Sequence, residues 1–246
     1  MNQKEIEQAL ENKEIKVYLQ PQFDLNSEKL VGAESLVRWQ RGAIMVPPSS
    51  FIPFCEQTGF ITQIDQYVLE TVCQHMQKWK QKIPVAVNES RRHLYNPHHV
   101  EELEQTIRKY GIEAKYIELE MTETAIVHDI EAAKEAERKV HALGFKVAMD
   151  DFGTGYSSFS MLRQIEIDIL KIDKSFVDEV TQDKRGKIII ETIISMAKKL
   201  KMTTIAEGIE TKEQAEYLKT IGCDIAQGYY YALPMAIEEF ERRYLA

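Results

Sequence analysis

The chain has 246 residues, 44% hydrophobic and 28% charged, which is enough to bury a sizeable core and predicts one globular domain over residues 1–246. Its 39 acidic and 31 basic residues give a formal net charge of −8, which argues against binding of polymeric nucleic acid, because that binding requires a basic face. Three widely spaced cysteines, a polar N-terminus and the lack of a long apolar run predict a cytoplasmic domain with reduced thiols and no membrane span.

The N-terminal segment predicts a short helix followed by a pair of strands. Residues 5–12 favour the helix, and residues 15–24 and 30–38 have the apolar pattern of strands. Residues 26–28 form a short polar turn between the two strands. We therefore expect these two strands to run antiparallel.

From about residue 85 onward, strand and helix patterns alternate. Short strands are predicted at residues 85–87, 117–119, 146–149, 169–172, 203–206 and 224–226. Helices are predicted at residues 100–110, 130–143, 187–200 and 215–221, the last of them after a capping box over residues 211–214. This alternation predicts a parallel α/β fold, and the number of units favours a (β/α)8 TIM-like barrel with one antiparallel strand near the N-terminus. A doubly wound open sheet is the alternative.

The pair Asp150 and Asp151 stands directly after the apolar strand at residues 146–149. Two adjacent carboxylates in a buried position repel each other and lose hydration, so a divalent cation would offset both effects. The same residues could instead cap the turn or the helix that follows, because Asp is a preferred capping residue. The pair by itself does not decide between a metal site and a cap.

Polar side chains also occur at or near the C-terminal end of each other predicted strand from residue 30 onward. They are Glu34 with Arg38, Asn88, Glu120 with Glu123, Lys171 with Asp173, Glu207 with Glu210, and Gln227. In a barrel these strand ends meet at one mouth, where active sites lie. Each residue alone has an ordinary alternative, such as a turn or a surface ion pair, but the regularity predicts one site built from the whole chain.

The candidate metal ligands are all oxygen donors. They are Glu34, Asn88, Glu120, Asp150, Asp151 and Glu207. Oxygen ligands without histidine or cysteine indicate a hard cation, Mg²⁺ or Mn²⁺, and argue against a histidine-based zinc site. Five carboxylates exceed the needs of one ion and suggest two, with Asp150 as a bridge. Lys171 and Arg38 would contact phosphate oxygens or orient the nucleophile, so the pattern favours metal-assisted phosphoester hydrolysis.

Taken in order, these residues resemble the EAL-domain family of cyclic di-GMP phosphodiesterases over essentially the whole chain. The matching segments are residues 18–21 (YLQP), 34–38 (ESLVR), 87–90 (VNES), 120–123 (EMTE), 150–158 (DDFGTGYSS), 171–173 (KID), 207–210 (EGIE) and 227–228 (QG). Segment 34–38 corresponds to the motif that names the family. Each segment is a weak signal alone, but the ordered set is highly specific.

The resemblance implies a barrel that hydrolyses one phosphodiester of cyclic di-GMP to linear pGpG by in-line attack of a metal-activated water. It implies two Mg²⁺ or Mn²⁺ ions, with one ion held by Glu34, Asn88, Glu120 and Asp150, and the other by Asp150, Asp151 and Glu207. Lys171 would position the water. Glu207 would serve either as a metal ligand alone or also as a general base.

The resemblance implies further roles around this centre. Substrate contacts would come from Gln20, Leu36, Arg38, Asn88, Glu210 and Gln227. Glu123 would hold the loop after Asp151, and Asp173 would orient Lys171, so both would support catalysis from outside the metal ligands. A homodimer would form around the loop at residues 152–165.

Two positions depart from the family pattern. Ser35 replaces the alanine of the naming motif, and Glu89 stands where the family usually has an apolar residue. No predicted metal ligand is lost, so we expect an active phosphodiesterase. A catalytically weak or inactive module that binds cyclic di-GMP is the alternative.

Overall fold

The computed structural model describes residues 2–153, 159–180 and 183–246, and its strands form a closed barrel. The strands of the described chain are β1 (Ile15–Asp24), β2 (Leu30–Arg41), β3 (Ile44–Val46), β4 (Val85–Asn88), β5 (Ile117–Thr122), β6 (Lys146–Phe152), β7 (Ile169–Ile172), β8 (Thr203–Ala206), β9 (Ile225–Ala226) and β10 (Met235–Ala236). Strands β3 and β10 pair with β2 and β1 respectively, and the other eight strands make the barrel.

The barrel is parallel except at one strand. Strands β2, β4, β5, β6, β7, β8 and β9 are parallel neighbours in this order. Strand β1 lies antiparallel between β9 and β2 and closes the barrel. The predicted (β/α)8 barrel with one antiparallel strand near the N-terminus is therefore confirmed, and the open-sheet alternative is wrong.

Helices cover the outside of this barrel. In the described residues the α-helices are α1 (Gln3–Glu11), α2 (Ile52–Thr58), α3 (Ile61–Met76), α4 (His99–Tyr110), α5 (Glu123–His128), α6 (Ile130–Leu143), α7 (Phe159–Leu162), α8 (Lys174–Glu179), α9 (Lys184–Lys199), α10 (Lys212–Thr220) and α11 (Ile237–Phe240). Single 3-10 turns occupy Pro48–Ser50, Arg91–Tyr95 and Ala114–Tyr116, and a π-helical turn at Glu241–Leu245 ends the fold. The predicted helices match α1, α4, α6, α9 and α10 within a few residues.

Helix caps explain why several of these boundaries were predictable. Thr211 caps α10, and the side chain of Gln214 closes the capping box by returning to the Thr211 backbone. Gly144 ends α6 in the left-handed conformation, with φ of 90°. Helix α3 was not predicted, although its buried residues recur every three or four positions from Ile61 to Met76.

A small apolar layer fills the barrel interior beneath the mouth. Ala148, Ile169 and Ile205 form this layer, which is separate from the large apolar clusters under the helices. Side chains two residues apart on a strand share a face. Two residues beyond the three members of this layer are Asp150, Lys171 and Glu207. The sheet itself therefore places polar groups directly above the apolar layer.

Candidate active site

Lys171 lies at the centre of the barrel mouth and is fully buried. Its Nζ atom is 2.8 Å from Glu120 Oε1 and 2.8 Å from Glu207 Oε1. The same atom is 3.2 Å from Asp150 Oδ1 and 3.5 Å from Glu34 Oε2. The structure thus brings Lys171 together with four of the predicted metal ligands, which come from four different strands or strand ends.

Burial and charge determine the protonation of this cluster. Burial alone would lower the pKa of Lys171, but the surrounding carboxylates, led by Glu120, hold that pKa well above its ordinary value. Burial raises the pKa of Glu207 to about 8. Burial also raises the pKa of Glu120 well above its usual range, against the opposing charge of Lys171. The raised pKa values of Glu120 and Glu207 indicate that the buried carboxylates hold more negative charge than the ammonium of Lys171 neutralises.

The residues present fit a pair of hard divalent cations. Glu120 Oε2 is buried without a hydrogen-bond partner, whereas the buried Glu120 Oε1 and Asp150 Oδ1 atoms contact the ammonium of Lys171. Asp150, Asp151 and Glu207 can each offer an oxygen within 4.8 Å of the others. With Glu34 and Glu120 they make five carboxylates around the single ammonium group of Lys171, an excess of four negative charges when all are ionised. Two divalent cations would neutralise that excess.

Asp151 differs from Asp150 in its backbone and surroundings. Its φ of 57° lies in the left-handed region, which Asp tolerates better than most residues. Burial raises the pKa of Asp151, and the charge of Asp150 adds to the rise. Both residues belong to β6, which runs on to Phe152. The rest of the predicted segment, residues 154–158, lies outside the described part of the chain.

A glutamine network fixes the other wall of the site. Gln227 donates through Nε2 to Glu34 Oε2 and, at 3.3 Å, to Gln20 Oε1. Gln22 donates at 2.8 Å to Gln227 Oε1 and thereby sets the orientation of that amide. Gln20 in turn donates to the Ala232 carbonyl at 3.3 Å. Gln22 was not among the predicted site residues, although it follows Gln20 with the period of two that places both side chains on one face of β1.

Glu123 lies buried at the start of α5, close to the end of β6. Its Oε2 atom accepts a hydrogen bond of 3.0 Å from the backbone N–H of Gly153. Gly153 has φ of 95°, and a Cβ atom there would come within 2.4 Å of the Phe176 ring. The carboxylate therefore contacts the segment that follows Asp151, as the predicted loop-holding role requires.

Two predicted site residues are engaged elsewhere. Asp173 caps α8 and accepts hydrogen bonds from the N–H and hydroxyl of Ser175, at 3.0 and 2.6 Å. Strand β7 ends at Ile172, so Asp173 begins α8 instead of extending the strand. Its role in orienting Lys171 stays a prediction. Glu210 pairs with Lys174 at 3.1 Å and is half exposed.

Two cavities open beside the carboxylates and share Glu34 as a wall. The larger, of about 670 Å³, is lined among others by Leu36, Asn88 and Asp65. The smaller, of about 300 Å³, is lined by Gln20, Glu34, Asp150, Lys174, Glu207, Gly208, Glu210, Gln227, Gly228 and Tyr229. Together the cavities bring all the predicted substrate contacts except Arg38 to one surface.

Arg38 lies farther out on β2. Its guanidinium donates to the Val37 carbonyl at 2.7 Å and stands 5.8 Å from the Tyr18 ring centroid. Leu36 lies between Glu34 and Arg38 on the same face of the strand, since the three residues follow a period of two. Arg38 can therefore reach a ligand that extends from the carboxylates along β2.

A barrel whose parallel strands deliver carboxylates, an amide and a buried lysine to one mouth belongs to the class of (β/α)8 barrels with a polar site at the C-terminal ends of the strands. The comparison with family models identifies the member of this class. The EAL domain model matches residues 3–234. The chain therefore belongs to the EAL-domain family of cyclic di-GMP phosphodiesterases.

Curated relatives support the same family. The chain is 34% identical over 250 residues to "Cyclic di-GMP phosphodiesterase NbdA" from Pseudomonas aeruginosa, covering 98% of this chain and 32% of that protein. It is 37% identical over 241 residues to "Probable cyclic di-GMP phosphodiesterase PdeB" from Escherichia coli, covering 96% of this chain and 46% of that protein. The chain spans about a third to a half of the length of these relatives.

Solved structures agree with the fold. The "PaMucR Phosphodiesterase, c-di-GMP complex" superposes with a TM-score of 0.91 at 30% identity, covering 96% of this chain and 98% of that chain. An EAL domain protein from Listeria monocytogenes superposes with a TM-score of 0.88 at 28% identity, covering 99% of this chain and 98% of that chain. Among the described residues, no helix is long and apolar enough to cross a membrane.

Proposed function

We propose that this chain hydrolyses cyclic di-GMP to linear pGpG in a reaction that depends on Mg²⁺ or Mn²⁺. The observation that carries the proposal is the buried ammonium of Lys171, which contacts four carboxylates at the mouth of the barrel. A structural ion pair would need one carboxylate, and the additional acids are costly to bury unless cations join them. The names of the curated relatives and the ligand of the solved phosphodiesterase complex supply the substrate.

The proposed metal ligands divide into two groups that share Asp150. Glu34, Asn88 and Glu120 would hold one ion with Asp150, and Asp151 and Glu207 would hold the other with it. Bound there, the ions would supply Lewis-acid activation of water and of the phosphate group. Lys171 would orient the attacking water or neutralise charge on the phosphate oxygens, because its ammonium is fixed by the surrounding acids.

The walls of the mouth would orient the dinucleotide. Gln20 and Gln227 present amide groups beside Glu34, where they can hydrogen-bond a ribose or phosphate oxygen. Leu36 offers an apolar surface in the larger cavity, and Arg38 a cation at the end of the same face. Two cavities that meet at the carboxylates suit a ligand whose two bases extend from a central pair of phosphates.

The experiment is a turnover assay with cyclic di-GMP in Mg²⁺, in Mn²⁺ and in chelator. The wild type should form pGpG only with a divalent cation. Glu34→Ala and Asp150→Ala should lose at least about 100-fold in rate because each removes a metal ligand. Glu135→Ala, which removes an exposed surface carboxylate, should match the wild type.

Two outcomes would overturn the proposal. Well-folded wild type that forms no product with either metal is not a phosphodiesterase. If that protein still bound cyclic di-GMP, the alternative of a receptor module that binds without turnover would replace the proposal. Equal rates in the wild type and in Asp150→Ala would remove the metal centre from the mechanism.

A homodimer is part of the same proposal. The described part of segment 152–165 includes α7, which borders a groove lined by Leu162, Met196 and Leu200. Ile188 and Ile189 on α9 are also exposed. Exposed apolar side chains beside this segment support burial against a second copy. Light scattering on the purified chain should give twice the monomer mass, and Ile188→Lys with Leu200→Lys should give the monomer.

A further inference from the structure

A second group of metal-binding side chains lies buried outside the active site. Glu89 directly follows β4, His93 lies in the 3-10 turn Arg91–Tyr95, and His99 begins α4. Each of the three can offer a ligand atom within 4.8 Å of the others. Both histidines are only 8% exposed, and their rings stack with centroids 4.0 Å apart. A carboxylate and two imidazoles form a donor set that suits Zn²⁺ and other divalent transition metals.

The hydrogen bonding of His93 leaves one ring nitrogen available. Its Nε2 atom lies 3.0 Å from Asp65 Oδ2, which also accepts the N–H of Ser90 at 3.2 Å. A carboxylate that accepts two hydrogen bonds requires the proton on Nε2 of His93, so Nδ1 of the neutral ring carries a lone pair. That Nδ1 atom is buried and has no hydrogen-bond partner. Metal-binding histidines commonly show this arrangement, in which one nitrogen donates to a carboxylate and the other binds the ion.

The space beside these residues has the size of a single ion or water molecule. A cavity of about 30 Å³ is lined by Glu89, His93 and His99, and most of its remaining wall is apolar. The Nε2 atom of His99 is 2.6 Å from Glu89 Oε2. These two atoms would need to separate by less than about 1 Å to occupy neighbouring positions around an ion with bonds of about 2 Å.

We infer that Glu89, His93 and His99 form a structural site for one divalent transition-metal ion, with Zn²⁺ as the best fit. Asp65 on α3 holds His93 through Nε2, which also lies 4.0 Å from Glu89 Oε2. The ion joins the end of β4 to the start of α4 and, through Asp65, to α3. The site is chemically distinct from the barrel mouth, because it combines nitrogen ligands with one carboxylate, whereas the mouth offers oxygen donors and favours Mg²⁺ or Mn²⁺.

The experiment measures Zn²⁺ content and the visible spectrum of bound Co²⁺ after chelator treatment and reloading. Four proteins are compared: wild type, Asp150→Asn, His93→Gln and His99→Gln. Asp150→Asn weakens the oxygen-ligand site and leaves the nitrogen ligands in place. His93→Gln retains a donor for Asp65, so its fold should be preserved.

Wild type and Asp150→Asn should each retain one Zn²⁺ ion and give the strong Co²⁺ absorption of a low-coordinate nitrogen site. His93→Gln and His99→Gln should bind Zn²⁺ at least about 100-fold more weakly and lose that absorption. Zn²⁺ should raise the melting temperature of wild type and Asp150→Asn by roughly 5 °C, but not that of the histidine variants.

The inference fails if all four proteins bind Zn²⁺ equally and share one Co²⁺ spectrum, because the histidines would then not be ligands. It also fails if wild type binds no Zn²⁺ beyond the amount that Asp150→Asn removes. In that case the cavity holds water, and the histidines only pair with Asp65 and Glu89. None of these readouts requires phosphodiesterase activity, so the result is independent of the proposed function.

Discussion

At the scale of single residues, burial disfavours the charge of Lys171, whereas the carboxylates around it stabilise that charge. A buried lysine normally loses its charge, yet the surrounding carboxylates hold the pKa of Lys171 well above its ordinary value. The charge of Lys171 in turn stabilises the ionised carboxylates, because it opposes the burial that raises the pKa of Glu207 to about 8. The mouth is therefore an interdependent set of charges, and single substitutions in it should alter both stability and activity.

Lys171→Met tests this interdependence. Removing the ammonium leaves the buried carboxylates without their cation, which should destabilise the fold by about 3–5 kcal/mol. Divalent cations at the same carboxylates should recover part of this loss. We expect a large drop in melting temperature in chelator, a smaller drop in Mg²⁺, and little turnover in either. Equal drops in both conditions would show that the cations do not interact with this cluster.

Glu123→Ala tests a contact one step removed from the reacting groups. The substitution leaves the Gly153 N–H without its acceptor, which should destabilise the protein by about 1–3 kcal/mol and lower turnover through Asp151. The control is Leu170→Ala, a fully buried core change that should cost about 2–5 kcal/mol without touching the loop. Wild-type turnover in Glu123→Ala would refute the loop-holding role.

At the scale of elements, close backbone contacts hold the mouth segments in register. Gly228 lies against Ile209, and a Cβ atom at Gly228 would come within 2.2 Å of the Ile209 carbonyl oxygen. Hydrogen bonds join Ile209 N–H to the Gln227 carbonyl at 3.1 Å and Tyr230 N–H to the Ile209 carbonyl at 3.0 Å. These contacts couple the segment that carries Glu207 to the segment that carries Gln227.

Gly228→Ala should push these two segments apart, because a backbone carbonyl cannot rotate away as a side chain can. We expect a loss of about 1–3 kcal/mol in stability and at least about a tenfold loss in turnover. Gly111→Ala is the matched control, since Gly111 has φ of 66° and nothing within 4 Å of an added Cβ atom. That control should lose about 1 kcal/mol through backbone strain alone. Equal activity in both variants would contradict the coupling.

At the scale of the whole molecule, the candidate active site lies at the C-terminal ends of the barrel strands. A cluster of ion pairs lies at the opposite end, which we call the base. At the base, His141 Nε2 lies 2.7 Å from Asp168 Oδ2, and His141 Nδ1 contacts Glu137. The same Asp168 oxygen accepts the Val147 N–H at 2.8 Å, and the Asp168 carbonyl accepts the Thr203 N–H at 2.8 Å. This cluster joins α6 to β6, β7 and β8 without contributing to the mouth.

His141 should make the stability of the base depend on pH. Burial alone would lower the pKa of His141, but the carboxylates of Asp168 and Glu137 raise it above its ordinary value of 6.5. A raised folded-state pKa gives stabilisation that is complete below about pH 6.5 and is lost as the pH rises through the folded-state value. His141→Gln should therefore lower the free energy of unfolding by about 1–2 kcal/mol near pH 6 and by less near pH 9. Chemical denaturation at the two pH values measures this, and a constant difference would contradict it.

The sequence by itself determined the barrel, its antiparallel strand and the oxygen-donor character of the mouth. These features follow from local periodicity, from caps such as Thr211, and from the rule that parallel strand ends meet on one face. Helix α3, which was not predicted, has the same helical periodicity of buried residues and is therefore also encoded in the local sequence.

Only the tertiary structure decided which side chains touch. It placed Lys171 against four carboxylates, assigned Asp173 to a helix cap, and brought Asp65 to His93 across 28 residues of chain. The physical reason is that these contacts depend on side-chain direction and on elements distant in sequence, which a pattern along the chain does not encode. The histidines therefore gave no metal signal in the sequence, although the folded chain gathers two of them with Glu89 around one small cavity.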